Sequence, residues 1–325
     1  MRALALFSGG LDSILAMKLI IDQGIEVIAV HVDMGFGGTS EKKEYLQKIC
    51  DHIGAKLEIL DLRQEYLDEV LFSPKYGYGK NFNPCIDCHG FMFRYTGKLL
   101  EIYDASFMIS GEVVGQRPMS QRKDSLELVK KLSDKEELVL RPLSAKHLPP
   151  TKPELEGWVD RDKLLDIQGR SRQVQLQMAK DIGLEGYEEP AGGCLLTQIE
   201  ISNRIRDFIA HDKLEVDDID LLRAGRHLRL PDGAKLVIGR HKEDNDKLTL
   251  VQSDKYLKAH IVESVGPLAL LSKDASVADK ALATKLIITY GKSEDEKIYS
   301  VDFGDFILQG VKFPTKEIAS KYFVQ

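Results

Sequence analysis

The first group of residues whose types and spacing could support chemistry is a Ser-Gly-Gly-x-Asp-Ser pattern, formed by Ser8, Gly9, Gly10, Asp12 and Ser13. Glycines have no Cβ and therefore let the backbone come close to a phosphate group. The hydroxyl groups of Ser8 and Ser13 can add hydrogen-bond donors, and Asp12 can hold a magnesium ion that bridges phosphates. The lysine that closes the Walker pattern is missing. The pattern therefore indicates a nucleotide phosphate site of another kind.

Three of the four cysteines form the second group of chemically suited residues. Cys85 and Cys88 lie three apart, and such a pair can bind one metal centre or form one redox disulfide. Cys194 follows two glycines in a separate loop. Three thiolates would anchor a [4Fe–4S] cluster and leave its fourth iron for a sulfur ligand. Two alternatives remain: Cys194 carries sulfur and exchanges with the pair through a disulfide, or the pair holds a structural zinc.

Alternating strand-like and helix-like segments must position these residues. The phosphate pattern follows a short apolar strand and precedes an apolar helix, so the start of the helix favours an anion there. Repeated alternation of this kind predicts an α/β fold with a doubly wound parallel sheet. Ligands of such sheets bind at the carboxyl ends of the strands. The predicted strands are 3–6, 26–33, 56–60, 106–110 and 138–143, and the predicted helices are 14–21, 40–53, 89–102 and 171–182.

The character of the chain changes after residue 199. We predict a first domain over 1–199 and a smaller α+β domain over 200–325, with a helix at 201–209. Several cations of the second domain either meet RNA phosphates or form the solvated edge of a hairpin, and the sequence leaves both interpretations open. The predicted strands are 235–238, 248–251, 268–271, 285–290 and 297–301, and the cations are Arg223, Arg226, Arg229, Arg240, His241 and Lys242.

Composition limits the class of protein. With 43% hydrophobic and 30% charged residues, the 325-residue chain can bury sizeable cores and favours two domains. The net charge of −6 has no long blocks of one sign, which argues against a purely electrostatic nucleic-acid coat. Met1 and Arg2 lead straight into a predicted strand, so we expect no secretory leader, and no apolar run is long enough to span a membrane. A cytoplasmic location, where thiols stay reduced, is predicted.

Several motifs resemble those of known enzymes. The pattern at Ser8–Ser13 resembles the loop of the N-type ATP pyrophosphatases, or PP-loop enzymes, which cleave ATP between its α- and β-phosphates and adenylate a substrate. The segment 110–121 resembles the Gly-Glu, Gly-Gln and Ser-Gln segment of the tRNA 4-thiouridine synthetases, and 190–194 falls where they carry a catalytic cysteine. The segment 83–88 is closer to the tRNA 2-thiouridylases. The three cysteines resemble those of iron–sulfur-dependent tRNA thiolases, and 226–235 resembles a small RNA-binding module.

The resemblance implies the residues of an active site. ATP and Mg²⁺ would occupy the PP-loop, with Gly111 and Gln116 near the nucleotide. Asp12 and Cys194 would be catalytic residues. A [4Fe–4S] cluster would be held by the three cysteines already named. No N-terminal RNA-binding module is expected before the PP-loop, which leaves the modified tRNA position open.

The resemblance also implies an activity, that of an ATP-dependent tRNA sulfurtransferase. Such an enzyme adenylates a uridine carbonyl oxygen in tRNA, releases pyrophosphate and replaces the oxygen with sulfur. We expect 4-thiouridine rather than 2-thiouridine, with sulfide or a persulfide-carrying protein as the sulfur donor. Two other functions stay open. One is a PP-loop ligase or amidotransferase that acts on a small acid, and the other is a non-catalytic RNA-binding adaptor that senses ATP.

Overall fold

The computed structural model describes residues 1–37, 42–187 and 194–325. Two sequence predictions therefore lie partly outside the described residues: the start of the helix predicted from Ser40, and residues 190–193 of the segment before Cys194. The chain divides into two compact units, Met1–Thr197 and Gln198–Gln325. No helix in the described part of the chain is long and apolar enough to cross a membrane.

The first unit is built on a five-stranded sheet with β1 (Arg2–Leu6), β2 (Glu26–Asp33), β3 (Lys56–Asp61), β4 (Phe107–Ser110) and β5 (Val139–Leu140). The strand order is β3-β2-β1-β4-β5, and every neighbouring pair is parallel. Nearly continuous apolar runs form β1, β2 and β4 because helices cover the sheet, as is typical of parallel sheets. The strand order reverses between β1 and β4, and such a reversal opens a crevice at the carboxyl ends of the two strands.

The helices of the first unit are α1 (Leu11–Ile21), α2 (Lys42–Ile53), α3 (Arg63–Tyr66), α4 (Cys85–Lys98), α5 (Lys123–Leu132), α6 (Lys152–Leu155) and α7 (Gln173–Asp181). Helix α1 lies in the centre of the core, with Leu11, Ile14 and Met17 fully buried. A helix surrounded by apolar neighbours in this way is apolar on most of its faces. The predicted α/β fold with a doubly wound parallel sheet is confirmed.

The first unit differs from the prediction in the start of one helix, in the length of one strand and in helices that were not predicted. Helix α4 starts at Cys85 and not at residue 89, so the cysteine pair lies in the first turn of a helix. Pro84 directly precedes this turn, a position at which the missing N–H of proline is not needed. Strand β5 has only two residues of the predicted 138–143, and α5 was not predicted.

The second unit is an antiparallel sheet with helices. Its strands are β6 (Arg226–Arg229), β7 (Lys235–Ile238), β8 (Tyr256–Ile261), β9 (Ala269–Ser272), β10 (Tyr299–Asp302) and β11 (Ile307–Gly310), and its helices are α8 (Ile199–His211), α9 (Asp218–Leu221), α10 (Lys242–Leu250) and α11 (Val277–Tyr290). The strand order is β11-β10-β8-β9-β7-β6, with antiparallel neighbours throughout. The predicted smaller α+β architecture is confirmed.

Two strands predicted in the second unit are wrong. Residues 248–251 largely belong to α10, and residues 285–290 form the last turns of α11. The error at α11 has a physical cause. Leu286, Ile287 and Ile288 are all fully buried, so a helix enclosed by its neighbours shows the same continuous apolar run as a buried strand. The start signal was present, since Ser276 accepts a hydrogen bond from the Asp279 amide as an N-cap.

Candidate functional site

The predicted phosphate loop lies between the carboxyl end of β1 and the start of α1. Gly9 has a φ of +85°, and a Cβ at this position would lie 2.9 Å from the Tyr45 ring. Tyr45 Oη donates to the Gly9 carbonyl at 2.6 Å, and Ser13 Oγ donates to the Gly10 carbonyl at 2.7 Å. The Gly10 amide donates to Ser8 Oγ at 3.2 Å. The Ser13 amide donates to the Gly10 carbonyl at 3.1 Å, and the positive end of the helix dipole favours an anion at this loop.

Asp12 is held by two glutamines. Gln116 Nε2 donates to Asp12 Oδ2 at 2.6 Å, and Gln175 Nε2 donates to Gln116 Oε1 at 3.1 Å. Asp12 Oδ1 is buried and has no hydrogen-bond partner among the described residues. A carboxylate oxygen left over beside helix-start amides is the ligand type that Mg²⁺ prefers. Asp12 therefore fits a magnesium ion, and fully buried Gln175 is a site residue that sequence reasoning missed.

Gly111 brings the end of β4 directly against the phosphate loop. A Cβ at this position would lie 2.4 Å from the Asp12 carbonyl carbon and 2.4 Å from the Ser13 amide nitrogen. No side chain fits into so short a distance from backbone atoms. The structure thus brings Gly111 and Gln116 to the loop, at its Asp12 end.

A buried ion-pair network fixes the segment that follows β4. Glu112 accepts hydrogen bonds from Arg141 Nε and His89 Nδ1, each at 2.8 Å. Burial by itself raises the pKa of Glu112, but Arg141 and His89 outweigh this effect and lower the pKa to about 2. Because His89 is turned toward this carboxylate, the network joins α4 to the ends of β4 and β5.

The cysteine pair lies at the same edge of the sheet. Asn83 Nδ2 donates to Cys85 Sγ at 3.0 Å, and Cys88 Sγ lies 3.7 Å from the sulfur of Met34, the residue after β2. Burial raises the pKa of Cys88, and the nearby charges of Cys194 and Cys85 raise it further. Cys194 and Cys85 act on Cys88 in this way because both lie close to it. The structure therefore brings together the three cysteines that the sequence singled out.

A loop rich in aromatic residues holds Cys194 beside the pair. Asn81 Nδ2 donates to the Thr197 carbonyl at 2.7 Å, and the Phe82 amide donates to the Leu196 carbonyl at 3.2 Å. Thr197 Oγ1 in turn donates to the Cys194 carbonyl at 2.6 Å. These bonds tie the segment that begins at Cys194 to the residues just before α4. Cys194 itself remains exposed.

The donor set suits a soft metal centre, although its ligand geometry is not yet formed. Across residues 1–37, 42–187 and 194–325, no three His, Cys, Asp or Glu side chains have the arrangement of metal ligands. The three neighbouring thiols nevertheless match the chemistry of an iron–sulfur or zinc site. The hydroxyl of Tyr66, fully buried beside them, completes no hydrogen bond with a described residue. Sequence reasoning missed Tyr66.

Arg117 connects the two groups of residues. It is exposed and follows Gln116, whose side chain contacts Asp12. Burial raises the pKa of Cys85, and the Asn83 amide and the charge of Arg117 both act to lower it. In the segment after β4, Gln116 therefore contacts the phosphate loop, and the next residue, Arg117, acts on the pKa of Cys85.

Comparison with known proteins agrees with this geometry. Residues 1–148 match the family described as tRNA methyl transferase HUP domain. This match covers most of the first unit, including the predicted phosphate loop. Residues 225–322 match the NFACT protein RNA binding domain, in the region predicted to resemble an RNA-binding module. The curated relatives confirm the predicted resemblance to PP-loop tRNA thiolation enzymes, because they are named as a tRNA sulfurtransferase and as tRNA 2-thiouridylases.

Two curated relatives illustrate the similarity. A probable tRNA sulfurtransferase from Thermococcus kodakarensis is 30% identical over 138 residues, which cover 41% of this chain and 35% of that protein. A tRNA-specific 2-thiouridylase from Fusobacterium nucleatum is 35% identical over 111 residues, or 32% of this chain and 28% of that protein. The chain thus spans about a third of the length of these relatives. A solved 4-thiouridine synthetase–RNA complex with bound ATP is 20% identical, with a TM-score of 0.41 over 68% of this chain and 52% of that one.

Proposed function

We propose that this chain is an ATP-dependent tRNA sulfurtransferase. The observation that carries the proposal is the shared location of two chemical groups. A phosphate loop, whose Asp12 Oδ1 has no partner among the described residues, and a group of three thiols lie at one edge of the sheet, joined by Gln116 and Arg117. Phosphate binding and sulfur transfer need both groups near one substrate. The similarity to a tRNA sulfurtransferase and to tRNA 2-thiouridylases supports the same reaction class.

The first half of the reaction uses the phosphate loop. Its amides and the hydroxyls of Ser8 and Ser13 bind the phosphates of ATP, and Asp12 would hold a Mg²⁺ ion that bridges them and offsets their charge. The uridine carbonyl oxygen attacks the α-phosphorus, the uracil N3 proton is lost, and pyrophosphate leaves. The oxygen then belongs to an adenylate and can depart as AMP. Loop amides aimed at the phosphates stabilise the charge that develops there.

The second half uses the thiols. Cys194 takes the terminal sulfur from the persulfide of a donor protein, whose own thiol is released. The terminal sulfur of the Cys194 persulfide then attacks the activated carbon, and AMP leaves. Cys85 or Cys88 then attacks Cys194 Sγ, which releases the thiouridine and leaves a disulfide that an external thiol reduces. A [4Fe–4S] cluster on the three thiols would instead supply an iron that presents the sulfur donor. Counting iron and sulfide in protein purified without oxygen, together with a visible spectrum, distinguishes the two routes.

The product we propose is 4-thiouridine, with sulfide or a persulfide-carrying protein as donor. The two thiolated uridines are isomers that chromatography separates against standards. We assign catalysis to a domain over 1–199 and tRNA binding to a domain over 200–325, because the second region matches an RNA-binding family. A target base must be splayed out for its carbonyl to reach a pocket of this kind.

Arg226, Tyr290 and Lys316 form a cationic and aromatic cluster in the second unit. The guanidinium of Arg226 lies 4.6 Å from the centre of the Tyr290 ring, and Lys316 lies 5.8 Å from the same centre. We propose that this cluster contacts tRNA phosphates. Arg229, by contrast, is engaged by both carboxylate oxygens of Asp207, at 2.9 and 2.6 Å. Among the predicted cations, Arg229 therefore stabilises the second unit through this ion pair.

The test separates adenylation from sulfur delivery. With unmodified tRNA, ATP, Mg²⁺ and, in parallel reactions, a persulfide donor or sulfide, Asp12→Asn should lose both tRNA-stimulated pyrophosphate release and thiouridine. Cys85→Ala and Cys194→Ala should keep pyrophosphate release but form no thiouridine. Cys50→Ala is the matched control, because this thiol lies in the core and burial raises its pKa to about 12. Full activity of the two site variants, with a small acid as acceptor, would favour a ligase, and absence of pyrophosphate release would favour an adaptor.

A further inference from the structure

We propose that the Tyr66 hydroxyl and the Asn83 side-chain amide are a pair of hydrogen-bond donors, one for Cys88 and one for Cys85. Both are positioning residues for the thiols, and the proposal rests on the sulfur-transfer function proposed above. Two adjacent sulfurs in one helical turn would each have a separate donor from outside the helix. The sequence contains no motif that marks Tyr66 for this role.

Packing holds the Tyr66 side chain in place. It lies at the end of α3, and its ring contacts Phe36 at a centroid distance of 6.0 Å and Phe91 at 5.7 Å. Only 1% of Tyr66 is exposed. A ring enclosed by two aromatic neighbours cannot rotate its hydroxyl out to water. The hydroxyl must find its partner inside the protein, and a buried donor without one is costly.

The groups around this hydroxyl are the thiols. The ring of Tyr66 packs on Phe91, which lies three residues after Cys88 on α4 and therefore on the same face of this helix. Burial and the three cysteines act together to raise the pKa of Tyr66. The hydroxyl completes no hydrogen bond with a described residue, and Cys88 Sγ is directed at the Met34 sulfur, 3.7 Å away. A thiolate sulfur is a stronger acceptor than a thiol sulfur. The Tyr66 donor is therefore held ready for the form of Cys88 that binds a metal or attacks a disulfide.

Asn83 supplies the corresponding bond to Cys85, and this bond is already formed. Its Nδ2 lies 3.0 Å from Cys85 Sγ, and the side chain is buried just before α4. The Asn83 carbonyl accepts the Gly79 amide at 2.8 Å, which fixes the backbone at this point. Donors that reach a sulfur from the surrounding protein orient it and stabilise its negative charge. Tyr66 and Asn83 thus act on different sulfurs by the same physical means.

The first experiment measures each thiol in metal-free, reduced protein. Tyr66→Phe keeps the ring and removes only the hydroxyl, and Asn83→Leu removes the amide. Alkylation by iodoacetamide at one fixed pH is followed for each cysteine peptide by mass spectrometry. Loss of one hydrogen bond should slow Cys88 alkylation about 3- to 10-fold in Tyr66→Phe, and Cys85 alkylation by a similar factor in Asn83→Leu. Tyr103→Phe is the control, since its hydroxyl bonds Glu58 and none of the thiols.

The second experiment uses Co²⁺ as a probe of the same sulfurs. Both variants should weaken Co²⁺ binding and shift the sulfur-to-cobalt absorption, and Tyr103→Phe should do neither. Equal acceleration of both thiols in either variant, or unchanged rates and spectra, would overturn the donor pair. If the wild-type protein binds no metal and forms no thiouridine, the proposed function fails, while the alkylation rates still decide whether the two donors act on their sulfurs.

Discussion

Gln116 donates a hydrogen bond of 2.6 Å to Asp12, so the segment after β4 reaches across the sheet and sets the orientation of the carboxylate in the phosphate loop. The bond uses Oδ2 and leaves Oδ1 without a partner among the described residues. Gln175 holds the other end of Gln116 at 3.1 Å. A chain of two side-chain amides therefore decides which Asp12 oxygen faces the proposed Mg²⁺ and phosphate site.

Gln175→Met should weaken the binding of MgATP. Methionine fills nearly the same volume but cannot donate, so Gln116 is free to turn away and Asp12 loses its fixed orientation. The loss of one hydrogen bond predicts a Kd about 3- to 10-fold higher. Isothermal titration calorimetry measures this change. Gln177→Met on the exposed side of α7, which removes only a surface bond to Asp181, should bind as tightly as the wild type. Equal Kd values for both variants would contradict the role of Gln175.

Glu112 should make the first unit sensitive to acid. Its pKa is about 2 in the folded protein and 4.5 in the unfolded chain, so its stabilisation is complete above pH 4.5 and is lost as the pH falls toward 2. The difference corresponds to roughly 3 kcal/mol of unfolding free energy. Glu112→Gln should lower the free energy of unfolding at pH 7. This free energy should then fall less on acidification in the variant than in the wild type. Urea unfolding followed by the fluorescence of the single tryptophan, Trp158, which packs on the core of the first unit, measures both effects. Parallel curves for the two proteins between pH 4.5 and 2 would refute the assignment.

The parts of the site that lie close in sequence could be predicted, and the parts assembled by packing could not. The strand, the Ser-Gly-Gly turn and the helix start form one continuous segment whose local preferences agree with the fold. Cys85, Cys88 and Cys194 were recognisable from their residue type. Tyr66 and Gln175 have no such signal, because a tyrosine or glutamine in an ordinary helix becomes part of a site only when tertiary packing buries its polar end there.

A related limit explains the errors in the second unit. Residues 285–290 form a helix because α11 is enclosed on most sides, so its sequence lacks the polar face that identifies a surface helix. The ion pairs of this unit could not be predicted from the sequence either. Arg229 lies within a basic stretch and looks available to RNA, but its carboxylate partner Asp207 comes from α8, more than twenty residues earlier.

Lys235 should make the second unit more stable as the pH rises. Burial lowers the pKa of this lysine to about 8, although Asp207 acts against the shift. Between pH 8 and about 10.5 the unfolded chain binds more protons than the folded one, so the free energy of unfolding increases with pH in this window. Lys235→Met should abolish the increase, while Asp207 stays paired with Arg229. Far-UV circular dichroism in urea follows the unfolding of both units, and Trp158 fluorescence follows the first unit only. The difference between the two unfolding curves therefore reports the stability of the second unit. Exposed Lys273→Met should keep the wild-type slope, and a retained slope in Lys235→Met would contradict the assignment.

Arg226→Gln should weaken tRNA binding without unfolding the second unit. The guanidinium stacks on Tyr290 at a partly exposed position. Loss of one cation that contacts a phosphate lowers the affinity for tRNA several-fold and reduces the slope of log Kd against log salt by about 1.

Arg229→Gln should act differently. It removes the contacts of the Arg229 guanidinium to Asp207 Oδ1 and Oδ2. The buried carboxylate is left with Lys235 and, at 3.6 Å, His211, so the main effect should be a lower free energy of unfolding. Arg206→Gln, an exposed change on α8, is the control for both. Filter binding of tRNA at several salt concentrations decides between the roles, and an unchanged salt slope in both Arg226→Gln and Lys316→Gln would remove this cluster from the RNA-binding surface.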